Sequence, residues 1–219
     1  QREKHKHKYA KNMRTGIFGG SFNPIHYGHI SLAESAIKAG FVDEVMMLIS
    51  PQNPLKVSQH LAPEDQRLEM ARKALSDHVR TAQEPDVARR IVASDFEFKL
   101  QRPTFTWKTI CQLRESFPDK EFSIIIGADN WEIFHRWRNW EEILRTVPVI
   151  VYPRQGTTPV HREGFPSPHI LNAPLFPFSS TDIRQGIQKG ISDSELAAML
   201  PAAIIPKCRE IYSRMPSRE

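Results

Sequence analysis

A glycine-rich loop between a short apolar run and an amphipathic segment is the feature that most restricts how this chain can fold. The loop reads Gly19-Gly20-Ser21-Phe22-Asn23-Pro24-Ile25-His26-Tyr27-Gly28-His29. It follows the apolar run Gly16–Phe18 and precedes the amphipathic segment Ile30–Ala39. This order predicts a strand, a tight turn and the N-terminus of a helix. Backbone N–H groups at such a junction point away from the helix, where the helix dipole favours an anion.

Two histidines, His26 and His29, stand three residues apart in this loop. At that spacing both rings lie on one face of the opening helical turn. Imidazoles donate hydrogen bonds and can be cationic near neutral pH, so the loop suits a polyphosphate. A simple glycine turn and half of a zinc site are the alternatives. The sequence supplies no Cys, His and Glu cluster to complete a zinc site, which favours phosphate.

Apolar runs alternate with helical patterns along the rest of the chain. Strands are predicted at Thr15–Phe18, Glu44–Ile49, Ile91–Phe98, Phe122–Ile126, Val147–Tyr152 and His169–Asn172. Helices are predicted at Ile30–Ala39, Pro63–Leu75, Thr106–Phe117, Trp140–Arg145 and Ser180–Lys189, and surface loops at Val79–Arg90 and Gln155–Pro168. This alternation predicts an α/β fold: a Rossmann-like, doubly wound parallel sheet with helices on both faces and a small C-terminal helical subregion. Ligands of such sheets bind outside the carboxyl ends of the strands.

The net charge of +5 belongs to the N-terminal arm and not to the body of the chain. Residues 1–14 contain six Lys or Arg side chains against Glu3, which leaves 24 basic and 24 acidic groups for the remaining 205 residues. We therefore expect residues 1–12 to be a disordered or non-native basic arm and residues 13–219 to form the folded domain. A neutral body gives little reason to expect nucleic-acid binding.

Composition also bears on membrane association and on the cellular compartment. No apolar run reaches the roughly 18 residues that a membrane-spanning helix needs, so no membrane partner is expected. The basic N-terminus has no apolar stretch behind it and does not resemble a secretion signal. The two cysteines, Cys111 and Cys208, fall in predicted helices. Without a secretion signal they predict free thiols in a reducing compartment, the cytoplasm.

A second candidate phosphate contact lies at Phe178–Arg184. Ser179 or Ser180 can cap the late helix, and Arg184 follows one turn later with a fork that suits phosphate oxygens. An ordinary capped helix with an exposed arginine is the alternative. A first phosphate loop on the same sheet favours the phosphate interpretation.

Three weaker signals follow other strands. Lys56 ends the segment Pro51–Lys56 and could neutralise a phosphate, although most such lysines are simply solvated. Gly127 lets a ligand approach the backbone, and Asp129 could accept hydrogen bonds from ribose hydroxyls. Trp137 lies between two arginines, which favours an edge position where the indole could stack on a flat ring.

Both loop motifs resemble signatures of the nucleotidyltransferase superfamily. Gly20–His29 is similar to its Gly-x-Phe-x-Pro-x-His-x-Gly-His signature, and Ser179–Arg184 is similar to Ser-Ser-Thr-x-Ile-Arg. The order of the other segments resembles the bacterial nicotinate-nucleotide adenylyltransferase family. The segments that match are Pro51–Lys56, Pro103–Thr106, Gly127–Asn130, Trp137 and Val151–Gly156. Three departures are Leu55 where the family commonly has His, Thr104-Phe105 in place of Ser-Tyr, and Arg154 without the proline that usually follows it.

The resemblance implies a nucleotidyltransferase domain that transfers AMP from ATP to nicotinate mononucleotide in NAD biosynthesis. The attack would be direct and in line, without a covalent enzyme intermediate, and Mg²⁺ would enter with ATP without protein metal ligands. The implied catalytic residues are His26, His29, Lys56 and Arg184. The implied ATP contacts are Gly19, Gly20, Ser21, Phe22, His26, His29, Gly127, Asp129, Ser180, Thr181 and Arg184. The implied nicotinate mononucleotide contacts are Lys56, Thr104, Phe105, Thr106, Trp137, Arg138 and Arg154.

Two other functions stay open from the sequence. One is another adenylyl- or cytidylyltransferase of the superfamily, such as phosphopantetheine adenylyltransferase, which would keep both loop motifs but not the Gly127–Trp131 and Trp137 segments. The other is a non-enzymatic nucleotide-binding module that uses the basic arm. Retention of both histidines, Lys56 and Arg184 argues for an enzyme. The sequence leaves homo-oligomerisation open.

Overall fold

Six parallel strands form one sheet at the centre of the computed structural model, which describes residues 12–51, 61–153 and 161–215. The strands are β1 (Met13–Gly20), β2 (Glu44–Ile49), β3 (Ile91–Ser94), β4 (Lys120–Gly127), β5 (Val149–Tyr152) and β6 (His169–Ile170). Their order in the sheet is β3-β2-β1-β4-β5-β6, and every neighbouring pair is parallel. This order is that of a doubly wound Rossmann-like sheet and confirms the predicted fold class.

Helices cover both faces of the sheet. They are α1 (Tyr27–Lys38), α2 (Glu64–Thr81), α3 (Pro85–Ala88), α4 (Thr106–Ser116), α5 (Ala128–Glu132), α6 (Trp140–Thr146), α7 (Ser180–Gln188), α8 (Asp193–Ala197) and α9 (Ile205–Tyr212), with 3₁₀ turns at Phe96–Lys99, Phe134–Arg136 and Ala202–Ile204. Successive side chains of a strand point to opposite faces, and β2 sends Met47 into one buried cluster and Met46 into the other. The first cluster contains residues of α1, α2, α7 and α9, and the second contains residues of α4, α5 and α6.

The ends of α1 and α7 follow the predicted local signals. Gly40 adopts a φ of +74° just after α1, a conformation that glycine reaches without steric cost. Ser179 caps α7 by accepting a hydrogen bond from the backbone N–H of Asp182, and the Asp182 carboxylate accepts one from the Ser179 N–H in return. Gly190, with a φ of +78°, follows α7 in the same way that Gly40 follows α1.

Two predicted elements are wrong. The predicted strand Ile91–Phe98 ends at Ser94, because the Ser94 hydroxyl accepts a hydrogen bond from the Phe96 N–H and the chain turns into a 3₁₀ helix. The predicted loop Val79–Arg90 is mainly helical. The last turn of α2 is supported by His78, whose ring lies 2.7 Å from the Glu34 carboxylate of α1. Pro85 opens α3, whose Val87 is buried.

The structure tests the predictions about the cysteines, membrane-spanning helices and domain division only in part. Cys111 and Cys208 are both free and lie in α4 and α9, as predicted. Within the ranges that the structure describes, no helix combines the length and apolarity that a bilayer crossing requires. The division into an arm over residues 1–12 and a domain over residues 13–219 stays a prediction, since residues 1–11 lie outside the described ranges.

The order of the strands reverses between β1 and β4, and the two strands part there. Their paired residues run only to Ile17 and Ile124, whereas β1 continues to Gly20 and β4 to Gly127. The last residues of β1 remain paired with β2, up to the pair Gly20 and Ile49. A crevice therefore opens at the carboxyl ends of β1 and β4, where doubly wound sheets bind ligands.

The C-terminal helix is connected to the loop above this crevice. The Tyr212 hydroxyl donates a 2.8 Å hydrogen bond to Oδ1 of Asn23, and both residues are buried. Burial raises the pKa of Tyr212, so its hydroxyl keeps its proton and remains a donor.

We expect Tyr212→Phe to lower the free energy of unfolding by about 1 kcal/mol, the usual net contribution of one hydrogen bond. For a chain of this size that corresponds to a fall in melting temperature of roughly 2–4 °C. Tyr27→Phe is the matched control, because no hydrogen bond of the Tyr27 hydroxyl occurs among the described residues. Scanning calorimetry measures both variants, and equal melting temperatures would contradict the prediction.

Candidate active site

His26 and His29 lie together at the N-terminus of α1, as their spacing predicted. His26 is the N-cap residue, and its backbone N–H donates to Nδ1 of His29 over 3.3 Å. The His26 carbonyl accepts from the backbone N–H of His29 and of Ile30. The two imidazole rings stack with their centroids 3.7 Å apart and their planes 28° from parallel. The loop therefore presents two imidazoles beside the positive end of a twelve-residue helix.

Glycines leave room for this arrangement. A Cβ atom on Gly28 would come within 2.9 Å of the His26 ring, and one on Gly20 within 3.2 Å of the Phe22 ring. A Cβ atom on Gly19 would meet no described atom within 4 Å, and Gly19 is exposed. The backbone at Gly19 is thus open to a ligand, whereas Gly28 allows the histidine rings to stack.

The second motif packs against the first loop, so the structure brings the two predicted phosphate contacts together. The Ser180 hydroxyl donates to the Pro24 carbonyl over 2.8 Å. Arg184 donates to the Asn23 carbonyl over 2.7 Å and to the Thr181 hydroxyl over 3.2 Å. The N-terminus of α7 consequently faces the same loop as the N-terminus of α1. Two helix dipoles and a guanidinium converge on one region beside the crevice.

A further group of predicted residues surrounds the end of β4. Gly127 ends the strand and is buried, and Asp129 is exposed in the first turn of α5. Trp137 packs on Phe134, with 4.8 Å between the ring centroids. Its indole Nε1 is buried without a hydrogen-bond partner in the part of the chain that the structure describes. A buried donor without a partner is costly in an apolar setting.

The segment before α4 reaches the same aromatic group. The Arg138 guanidinium lies over the Phe105 ring, 5.1 Å from its centroid. Thr104 is buried and Thr106 opens α4. Phe105 and Arg138 are therefore in contact, and Thr106 and Trp137 are their neighbours in the chain; the assignment of these residues to nicotinate mononucleotide stays a prediction. Lys56 and Arg154, together with Leu55, lie outside the described residues, and their assignments stay predictions.

The tryptophans that follow β4 differ in their exposure. Trp131 is 1% exposed and belongs to the core, whereas Trp137 and Trp140 are partly buried. Arg162 donates to the Trp131 carbonyl over 2.6 Å, and its guanidinium lies 5.0 Å from the Trp131 ring centroid. Trp131 is therefore a core residue that Arg162 covers.

Arg67 is a residue of the site that the sequence analysis missed. Its side chain is 1% exposed and lies behind the glycine loop. Its guanidinium donates to the carbonyls of Ala62, Ser21, Ser50 and Pro51, at distances of 2.8, 2.6, 2.9 and 3.1 Å respectively. The available signal was its position, because Arg67 shares a helical face with the buried residues Met70, Ala71 and Ala74.

Glu97 is the second residue that the sequence analysis missed. It is 8% exposed, and the Thr109 hydroxyl of α4 donates to its carboxyl over 2.8 Å. Burial raises the pKa of Glu97, while hydrogen bonds from Thr109 and Ser50 oppose that rise. Ser50 follows β2, and its backbone N–H donates to the Gly20 carbonyl. Glu97 therefore connects the glycine loop to the start of α4.

Comparison with known proteins gives one consistent result. A family profile described as cytidylyltransferase-like matches residues 17–186. A protein of Bacteroides thetaiotaomicron named probable nicotinate-nucleotide adenylyltransferase is 39% identical over 181 residues, which cover 82% of this chain and 84% of that protein. A protein with the same name from Azobacteroides pseudotrichonymphae is 32% identical over 206 residues, which cover 93% of this chain and 98% of that protein.

Solved structures share the fold at lower identity. The Plasmodium falciparum nicotinic acid mononucleotide adenylyltransferase complexed with NaAD superposes with a TM-score of 0.69 at 18% identity and covers 91% of this chain and 94% of its own. A putative nicotinate-nucleotide adenylyltransferase from Vibrio parahaemolyticus superposes with a TM-score of 0.63 at 19% identity. The superposition covers 93% of this chain and 97% of that one.

We expect Glu97→Gln to stabilise the protein at neutral pH relative to wild type, and less so in acid. The raised pKa of folded Glu97 means that the unfolded chain loses this proton first as the pH rises. The contribution of the neutral carboxyl is complete below the unfolded pKa and is lost as the pH rises through the folded pKa. Glutamine cannot ionise, so the difference in melting temperature should grow between about pH 4 and pH 7.

Melting temperatures of wild type and Glu97→Gln across that range measure this difference. Glu69→Gln, at an exposed position on α2, is the matched control. A difference that stays constant with pH would show that Glu97 does not change its ionisation on folding.

Proposed function

Because the chain belongs to the nicotinate-nucleotide adenylyltransferases of the cytidylyltransferase-like family, we propose that it transfers AMP from ATP to nicotinate mononucleotide. The products would be nicotinate adenine dinucleotide and pyrophosphate, in NAD biosynthesis. The observation that carries the proposal is the stacked pair His26 and His29, which lies beside Ser180 and Arg184 of α7 at the crevice between β1 and β4.

The reaction needs positioning and charge stabilisation more than covalent chemistry. The 5′-phosphate of the mononucleotide is an anionic nucleophile at neutral pH, attacks the α-phosphorus in line and displaces pyrophosphate. His26 and His29 would donate hydrogen bonds to the phosphate oxygens on which charge develops. Arg184, with Ser180 and Thr181, would stabilise the phosphates from the side of α7. No covalent enzyme intermediate is required.

The two nucleosides would occupy opposite sides of the crevice. The adenosine would lie near Gly127, whose lack of a side chain admits a ligand, and the Asp129 carboxylate would accept from ribose hydroxyls. The nicotinate ring would stack near Trp137, beside Phe105 and Arg138. The exposed Arg138 guanidinium supplies donors on this side, which suits a negatively charged ring substituent. By resemblance, Lys56 and Arg154 would add cations.

Mg²⁺ would enter as part of the ATP complex. Among the described residues, no three His, Cys, Asp or Glu side chains form a group that could hold a metal ion. Mg²⁺ commonly retains several waters and binds substrate phosphates, where it would neutralise charge on the triphosphate. The free thiols suit the cytoplasmic location that the sequence predicts.

A substrate panel tests the proposal. With ATP as the donor, we expect nicotinate mononucleotide to give the highest kcat/KM, ahead of nicotinamide mononucleotide, and phosphopantetheine to give no product. CTP in place of ATP should also give no product. A charge-assisted hydrogen bond to the carboxylate contributes about 1.5–3 kcal/mol, which corresponds to a preference of roughly 10- to 100-fold for the acid over the amide. Equal values for the two mononucleotides would contradict carboxylate recognition and leave adenylyl transfer intact.

The Trp137→Ala variant, measured with the same substrates, tests whether the nicotinate ring binds beside Trp137. The variant should weaken use of nicotinate mononucleotide much more than binding of ATP. An equal loss for both substrates would put Trp137 in the adenosine pocket or beneath the whole site. Turnover of phosphopantetheine in place of both mononucleotides would overturn the proposed function.

His29→Ala should lose most of its turnover while it keeps the wild-type fold. Loss of one preorganised donor to developing charge typically costs roughly 100- to 1000-fold in kcat. His169→Ala, on the exposed edge strand β6, is the control and should turn over at the wild-type rate. Steady-state kinetics and circular dichroism of the purified proteins measure both properties, and near-normal kcat in His29→Ala would reject its catalytic role.

A further inference from the structure

The buried charge of Arg67 has no opposite charge beside it. In the parts of the chain that the structure describes, no carboxylate lies within 4 Å of its guanidinium, and its hydrogen bonds go to main-chain carbonyls. Desolvation lowers the pKa of Arg67, but an arginine stays cationic. A buried cation without a paired anion is unfavourable unless something compensates it. Carbonyl dipoles compensate it in part.

The position of Arg67 shows where a compensating anion would lie. Its Nη1 donates to the carbonyls of Ser21 and Ser50 at the ends of β1 and β2. In a trans peptide the carbonyl of one residue and the N–H of the next point in opposite directions. The carbonyl of Ser21 faces Arg67, so the N–H of Phe22 points away from it. The guanidinium therefore sits behind a peptide whose N–H faces the other side of the loop.

We propose that Arg67 is a positioning residue whose buried positive charge strengthens the binding of polyphosphate by the glycine loop, acting through the Ser21–Phe22 peptide without touching the ligand. The guanidinium polarises this peptide and adds a positive potential in a region of low dielectric constant. The inference rests on the proposed function, because it takes the anion in front of the loop to be the triphosphate of ATP or the pyrophosphate product.

A purely structural clamp is the competing explanation, and pyrophosphate distinguishes the two. Calorimetry with adenosine, ATP and pyrophosphate should show that Arg67→Gln weakens binding of the two phosphate ligands and leaves adenosine nearly unchanged. One unit charge about 6–10 Å away at an effective dielectric constant near 20 corresponds to a loss of roughly 15- to 100-fold. A clamp that orders the whole site would weaken all three ligands together, and a clamp on the glycine loop alone is distinguished by the pH dependence of a lysine variant. Tyr212→Phe is the control, since it removes a hydrogen bond to the same loop without a charge.

Arg67→Lys provides a second readout that does not depend on the glutamine variant folding. A buried lysine loses its proton more readily than arginine, because burial lowers the pKa of an ammonium group. The ratio of wild-type to variant affinity for pyrophosphate should therefore rise as the pH increases from 6 to 9. This ratio cancels the titration of pyrophosphate and of His26 and His29, which both proteins share.

Other charged or titratable groups near Arg67 do not interfere with the pH dependence of this ratio. Glu64 on α2 and Tyr212 on α9 act on the charge of Arg67, whereas Arg184 on α7 and Cys208 on α9 act on Tyr212. Burial raises the pKa of Cys208 to about 12 and also raises that of Tyr212, so neither changes charge between pH 6 and 9. Glu64 and Arg184 are present in both proteins and cancel in the ratio.

The outcomes separate this inference from the proposed function. A pH-independent ratio, or equal losses for adenosine and pyrophosphate, would overturn the role of the charge while adenylyl transfer by the wild type stands. Unchanged pyrophosphate affinity in Arg67→Gln would do the same. Wild-type protein that binds neither ATP nor pyrophosphate would overturn the proposed function and this inference together.

Discussion

Hydrogen bonds to one buried residue, Asn23, connect the glycine loop to three later parts of the chain around the crevice. Oδ1 of Asn23 accepts from the backbone N–H of Ala62 before α2 and from the hydroxyl of Tyr212 on α9. Its carbonyl accepts from Arg184 on α7. Each partner satisfies a polar atom that would be costly to bury alone. The loop at the start of the chain consequently positions helices that lie far along it, and those helices fix the loop.

This arrangement explains why two short motifs at opposite ends of the chain form one site. The histidines follow β1, whereas the capped helix α7 begins at Ser180. The contacts of Ser180 with Pro24 and of Arg184 with Asn23 bring the two helix N-termini together. Electrostatic stabilisation of a transferring phosphoryl group depends on donors that are already in place, and these contacts fix them before substrate arrives.

Local signals in the sequence were sufficient for the frame of the fold and for half of the site. The period of the apolar residues, the positive-φ glycines and the serine cap act within one element, so α1, α7 and the stacked histidines were predictable. Arg67, Asn23 and Glu97 were not, because their partners lie far away in the sequence. The same limit explains the error at Val79–Arg90, where the contact of His78 with Glu34 supports a helical end that looked like a loop.

Phe22 shows how burial sustains the geometry that the chemistry needs. Its φ of +43° is unusual for an aromatic residue and costs about 1–3 kcal/mol. The ring is 2% exposed and makes edge contacts with Phe18 and His29, at centroid distances of 5.7 and 5.0 Å. Full burial of a phenylalanine side chain contributes about 1.5–3 kcal/mol, which is enough to offset that strain. The turn that directs the loop N–H groups and orients the His29 ring therefore persists because the hydrophobic core holds its aromatic side chain, with no need for a ligand to impose it.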